Sequence, residues 1–250
     1  HYSHPEGPAS LKKAFLLFSS AAAAGYAEAQ TMLGNMYMEG VGAPKNCALA
    51  ENWYRKAAAA DNPAALAGLG YLAAQGCGKT PKDFKAAYRY YTRAAALGNP
   101  FAMLSLAAMH ETGTGTAPDI HKALDYYTAA ADLGDFAGAQ GAALILAADR
   151  AGKPDYDRAY IYFSRAAQGR ITESYFYLAV LCERGRGTGR DSFAAYKWYY
   201  ACAKSGGARL KICSNKVMEL EQKLSPKKIA EARRQATPYL KTASQPVLPR

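Results

Sequence analysis

One motif recurs through this chain at a nearly constant period. A bulky pair stands at Leu17-Phe18, Trp53-Tyr54, Tyr90-Tyr91, Tyr126-Tyr127, Tyr162-Phe163 and Trp198-Tyr199, in steps of 36, 37, 36, 36 and 36 residues. Three residues before each pair is an alanine: Ala14, Ala50, Ala87, Ala123, Ala159 and Ala195. Four residues after its first member is a second small residue: Ala21, Ala57, Ala94, Ala130, Ala166 and Cys202. Small, large and small residues at spacings of three and four form one face of an α-helix, with alanines where a neighbouring helix comes close. A fixed period of this length specifies a solenoid, and the chain is expected to be all-α.

Composition narrows what such a solenoid can do. Half of the 250 residues are apolar and 20% are charged, a globular balance. No apolar run approaches the roughly 20 residues that span a bilayer, so a membrane-spanning chain is not expected. The sequence opens on His1 rather than methionine, which leaves both a removed leader and a trimmed start open. The formal charge of +11 invites nucleic acid, but the basic residues are scattered over helix surfaces and cluster only near the C-terminus. Without a groove-reading motif, an acidic protein surface or an anionic membrane surface suits that charge equally well, and no nucleic-acid partner is expected. Five cysteines allow two disulfides and a free thiol, or none, and no CxxC spacing suggests zinc.

Along the chain, residues 1–9 read as a flexible polar lead. Ser10 is expected to cap a helix closing at Gly25. Complete units begin near Tyr26, each a helix, a glycine-rich loop, a second helix and a short turn. The loops are Gly40-Val41-Gly42, Gly76-Cys77-Gly78, Gly113-Thr114-Gly115 and Gly185-Arg186-Gly187. The fourth unit departs from this pattern, offering Ala151-Gly152-Lys153-Pro154 instead. A further helix is expected over about 208–224, then one capped by Ser225 with Pro226 at its first position, then a frayed tail. The solenoid thus occupies 10–224, as about five full units, a partial first unit and a capping helix, with 225–250 as C-terminal capping helix and tail.

Leu33-Gly34-Asn35-Met36-Tyr37, Gly40-Val41-Gly42 and Ala50-Glu51-Asn52-Trp53-Tyr54-Arg55-Lys56-Ala57-Ala58 together resemble the Sel-one-like repeat family, relatives of the tetratricopeptide repeats. Ser225-Pro226-Lys227-Lys228-Ile229-Ala230-Glu231-Ala232 is similar to a closing helix of bacterial members. The resemblance implies an α/α superhelical solenoid acting as a protein-binding adaptor without a cofactor. Family roles include secretion and envelope scaffolds, immunity proteins against antibacterial effectors, and a hydrolase activity claimed for cysteine-rich relatives. The preferred expectation is an immunity or inhibitor protein for a secreted bacterial toxin, with scaffold and hydrolase as alternatives.

Candidate chemistry is sparse, and no enzyme is expected. His110-Glu111 suggests a zinc-protease motif, but the helix breaks at Gly113 and position 114 is threonine. His110 occupies the repeat position of Tyr37, which favours a packed or loop-facing imidazole. Gly185-Arg186-Gly187-Thr188-Gly189-Arg190 resembles a phosphate cradle but follows a helix rather than a strand, so it reads as a turn whose two arginines could serve a partner surface. The recurring aromatics read as core, and Trp53, Tyr90, Tyr126, Tyr162 and Trp198 are expected to be buried.

By the resemblance, the first helix of each pair lines a concave face. Outward positions there include Ala64, Ala67, Tyr71, Ala74, Phe101, Leu104, Ala108, Leu144, Phe176 and Val180. That is apolar for a solvated groove and points to a bound peptide or helix. The resemblance also implies a disulfide between Cys202 and Cys213, slightly displaced from the family positions. It would place the protein in the periplasm or outside the cell, with the cytoplasm as the alternative. Cys47 with Cys77 is a weaker second pair, leaving Cys182 free.

Overall fold

A computed structural model describes residues 8–77, 81–148 and 152–240. Among them are thirteen α-helices and one short 3-10 turn, with no β-strand. The first compact unit, His1–Leu133, holds α1 (Pro8–Ala23), α2 (Ala27–Glu39), α3 (Cys47–Ala58), α4 (Pro63–Gln75), α5 (Phe84–Ala96), α6 (Pro100–Thr112) and α7 (Ile120–Asp132). The second, Gly134–Arg250, holds α8 (Phe136–Ala147), α9 (Tyr156–Gln168), α10 (Thr172–Arg184), α11 (Ser192–Ser205), α12 (Leu210–Glu221), α13 (Pro226–Ala236) and the 3-10 turn Thr237–Tyr239. Residues 1–7 of the lead expected over 1–9, the end of the tail (241–250), Gly78 and Ala151 lie outside the described residues. Pro8 and Ala9 already belong to α1, so Ser10 falls inside the first turn rather than capping it. Proline, with its φ pre-set near the helical value, suits that first turn.

Consecutive helices pair as the period requires: α2 with α3, α4 with α5 and α6 with α7 in the first unit, α8 with α9 and α10 with α11 in the second. The small residues of the motif are the contact points. Ala50, Ala57, Ala87, Ala94, Ala123, Ala130, Ala159, Ala166 and Ala195 are all 0% exposed. Each second helix also begins on a carboxylate or amide cap, Asn46, Asp83, Asp119, Asp155 and Asp191, whose side chain accepts backbone N–H bonds from the first turn. These caps recur at 37, 36, 36 and 36 residues.

The aromatic pairs pack differently from the expectation. Where a pair has a fully buried member it includes the second, as Tyr54, Tyr91, Phe163 and Tyr199, while Trp53, Tyr90, Tyr126 and Tyr162 are only half-buried, and Tyr127 is half-buried as well. For Tyr54 and Tyr91, glycines in the first helices decide this; Tyr199 is buried although α10, its paired helix, has no glycine. A Cβ on Gly34 would lie 2.5 Å from the Tyr54 ring, one on Gly68 2.8 Å from it, and one on Gly70 2.7 Å from the Tyr91 ring. The missing methyls open a slot on that edge of the α3 and α5 stripes. Trp53 lies on the opposite edge, where the Lys56 ammonium sits 4.0 Å from its ring centre. Trp198 is the exception and is buried, because Tyr239 of the 3-10 turn packs on it at 4.7 Å.

The closing helix is built as its sequence suggests. Ser225 accepts a bond from the Lys228 amide, and Pro226 opens α13. The helix packs on α11, where Arg233 donates to the Tyr196 hydroxyl at 2.8 Å and Tyr196 donates to Glu221 at 2.8 Å.

The glycine slots predict that Gly34→Val overpacks the α2–α3 contact and lowers stability by roughly 1–3 kcal/mol. Urea unfolding measures this, and an unchanged midpoint would show that the slot is not tight.

Candidate protein-binding cleft

The first helices α2, α4 and α6 present one face of the first unit, and a cleft of about 770 Å³ opens there. Its floor is made by the element that organises the repeat. Tyr54 reaches through from α3 between Gly34 and Gly68 and donates a hydrogen bond of 2.6 Å to Asn35 at the cleft wall. Burial, and then the nearby Glu39 carboxylate, push the Tyr54 pKa well above that of a free phenol, so it stays a neutral donor.

Apolar walls come from Met38, Val41, Ala64, Ala67, Tyr71 and Phe101, while Glu39, Lys45 and Asn99 supply polar atoms. Asn99 is held as the N-cap of α6, accepting from the Ala102 amide at 2.9 Å, which fixes where Phe101 emerges from the first turn. Phe101 packs edge-on to buried Tyr91 with ring centres 6.1 Å apart and leans towards Tyr71 at 6.4 Å. Even so, Phe101 is 48% exposed and Tyr71 39%. Two large aromatic faces therefore stand open to solvent beside a recess.

Of the residues expected to form the groove, Ala64, Ala67, Tyr71 and Phe101 come together in this cleft. Ala67 is itself buried and acts as wall. Half-buried Leu104 and exposed Ala108 lie farther along α6 and do not line it. Leu144, Phe176 and Val180 belong to the second unit and are half-buried there. Phe176 is covered by the chain itself: the Arg209 guanidinium lies 4.3 Å from its ring centre, held by the Tyr177 hydroxyl and Glu173. Asn35, Glu39 and Lys45 were not singled out from the sequence. Asn35 directly follows Gly34, and its position beside that glycine was the available signal.

The remaining candidates resolve as packing. His110 is 2% exposed, stacked on Tyr126 at 5.8 Å, with its Nε2 3.3 Å from the Tyr88 hydroxyl. Glu111 accepts from Tyr127 at 2.7 Å. Cys202 and Cys213 are joined in a disulfide with their Cα atoms 6.0 Å apart, linking α11 to α12. Cys47 and Cys77 are not bridged; both are free thiols packed against the first unit's core, and Cys182 is also free.

The Sel1 repeat pattern matches residues 2–26, 27–62, 63–99, 100–135, 143–169 and 172–207, well over half of the chain. The chain belongs to the Sel1 repeat family. The fold is accordingly the all-α, tetratricopeptide-like solenoid of that family, a protein-interaction architecture. A Sel1 repeat protein from Oxalobacter formigenes is 28% identical with a TM-score of 0.71, covering 86% of this chain and 89% of its own. The protective antigen c5321 of uropathogenic Escherichia coli strains, which displays an SLR fold, is 20% identical with a TM-score of 0.53, over 92% of this chain and 56% of its own. A putative Sel1 repeat protein from Klebsiella pneumoniae is 21% identical with a TM-score of 0.50, over 82% of this chain and 98% of its own. No match is found among curated proteins. The stretch 136–142, outside the matched repeats, opens the unit whose loop lacks the paired glycines.

The Sel1 cysteines should be chemically distinguishable. Burial, reinforced by the Asp191 carboxylate, pushes the Cys182 thiol up to about 11, so little reactive thiolate is present near neutral pH. Alkylation of native protein at pH 8 should modify half-buried Cys47 and Cys77 first, leave Cys182 slow, and leave Cys202 and Cys213 as one bridged peptide on non-reducing mapping. Five alkylated thiols would reject the bridge, and rapid labelling of Cys182 would reject its burial.

Proposed function

We propose that this Sel1 repeat protein works by binding, not catalysis, and that the first-unit cleft takes an apolar side chain or short helix of a protein partner. The observation that carries this reading is the pair of open rings, Tyr71 and Phe101, beside the recess walled by Ala64 and Ala67. An exposed aromatic pair over an apolar wall gains most when a partner excludes water from both rings. Such central anchors carry a disproportionate share of binding energy. The strongest candidate for acid-base work, His110, is enclosed by Tyr88 and Tyr126, out of reach of a substrate.

The specific role we favour is an immunity or inhibitor protein that blocks a secreted bacterial toxin, in keeping with a member of a family used as adaptors. Occupying a partner's surface requires a rigid, preformed cleft and no reactive group. The Cys202–Cys213 bridge favours an oxidising compartment, hence the periplasm or the cell exterior. No described helix is long and apolar enough to cross a membrane.

Tyr71→Asp and Phe101→Asp should each weaken binding of the partner captured from the source organism by about 2 kcal/mol or more, roughly thirtyfold in Kd. Ala108→Asp, on the same helix as Phe101 but away from the cleft, should leave binding unchanged, and circular dichroism should be the same for all three. Partner binding that survives both aromatic changes rejects the cleft. An immunity role further requires that co-expression with the cognate toxin restores growth and that Phe101→Asp abolishes the rescue.

A further inference from the structure

The second unit carries a feature of different chemistry. Where α10 ends, an open basin of about 570 Å³ is lined by Glu183, Arg184, Arg186, Arg190 and, from α12, Lys216. Four cations face one carboxylate, and that carboxylate is already engaged. Glu183 accepts from Lys216 and from the Tyr199 hydroxyl, each at 2.7 Å, and Lys216 also reaches Glu219 at 3.1 Å. The three arginines are exposed, and no carboxylate pairs with any of them among the described residues.

Other repeats show that the loop does not need these arginines. Gly185 and Gly187 have φ of 64° and 71°, as Gly40 and Gly42 have 78° and 74° and Gly113 and Gly115 have 74° and 75°. The same turn is therefore made three times among the described residues. At the positions of Arg184, Arg186 and Arg190, the other two loops place Glu39, Val41 and Lys45, and Thr112, Thr114 and Pro118. Closing the loop thus explains the glycines and leaves the arginines unaccounted for.

The basin is also partly organised in advance. A Cβ on Gly187 would fall 2.0 Å from the Tyr156 carbonyl oxygen, so the loop lies directly on the start of α9. Arg186 donates to the Tyr156 hydroxyl at 3.0 Å with its guanidinium 4.9 Å from that ring centre, which leaves most of its five N–H donors unspent. An arginine held this way loses less freedom when it binds.

We propose that this basin docks an acidic segment of a protein partner, with side-chain carboxylates pairing to Arg184, Arg186 and Arg190. This rests on the protein-binding reading but uses a surface separate from the apolar cleft. A compact phosphate fits less well. Three of the amides that could cradle it are spent on α10, Gly185 and Arg186 both donating to the Leu181 carbonyl and Asp191 to that of Cys182. The basin also faces the carbonyl end of α10, whose dipole disfavours a concentrated dianion. Carboxylates spread along a peptide meet the arginine forks away from that end, in two-point pairs.

Fluorescence anisotropy with a fluorescein-labelled peptide of alternating glutamate and aspartate tests this, with a glutamine/asparagine peptide of equal length as control. The triple variant Arg184→Gln/Arg186→Gln/Arg190→Gln should weaken binding about tenfold or more, with unchanged helicity because all three side chains are exposed. Lys12→Gln/Lys13→Gln/Lys85→Gln, which removes the same charge from exposed sites in the first unit, should change it less than about twofold. Equal losses in the two variants, equal binding of the neutral peptide, or tighter binding of inorganic phosphate or a single-stranded oligonucleotide through the same arginines would each overturn the proposal. Tyr71→Asp should leave the acidic peptide bound, so failure of the cleft and failure of the basin are read separately.

Discussion

The close approach of a glycine backbone to an aromatic ring underlies the first two complete repeats and the cleft they form. A first helix can lie on its partner only if the large second-helix ring has somewhere to go, and Gly34 and Gly68 supply that space on both sides of Tyr54. Gly70 does the same for Tyr91. Glycine within a helix costs about 1 kcal/mol relative to alanine, yet the ring it admits is removed from water and excludes it from the neighbouring alanines. Burying a large aromatic side chain returns more than the glycine costs. The order of burial in the Trp53-Tyr54 and Tyr90-Tyr91 pairs follows from this contact.

The cleft is a by-product of the same contact. Because Tyr54 fills the space between α2 and α4 from behind, α4 presents the small residues Ala64, Ala67 and Gly68 to the recess, while α2 adds Asn35, Met38 and Glu39. The larger groups at its edge then stand out: Phe101, aimed by the Asn99 cap, and Tyr71 on α4. A shape that serves packing on one side thus leaves an apolar recess on the other.

A repeat protein contains its own controls. Positions filled alike in every unit answer to packing, as the alanines and the capping carboxylates do. Positions where one unit departs from its siblings answer to something local. Trp198 is buried where Trp53, Tyr90, Tyr126 and Tyr162 are half-buried because Tyr239 and Tyr175 both pack against it. The three arginines at and just after the end of α10 depart in the same way, with no packing neighbour that explains them all.

The sequence by itself determined the helix pairs, their period, the double-glycine loops and the Ser225-Pro226 start of the last helix. These are local patterns, set by helical spacing and by backbone conformations that few residues adopt. The caps at Asn46, Asp83, Asp119, Asp155 and Asp191 were legible too, at the same period, though the aromatic motif drew attention first. The site was legible only in part: Ala67, Tyr71 and Phe101 meet in the cleft, while Leu104, Ala108 and Phe176 share the apolar pattern without sharing the place. Only the tertiary structure decided which of two adjacent rings turned inward, since both lie within one helical stripe and, for Tyr54 and Tyr91, the choice depends on glycines in another helix. It alone brought Lys216 to the loop after α10 and set Arg209 over Phe176, because side chains that meet between helices leave no spacing to read in the chain.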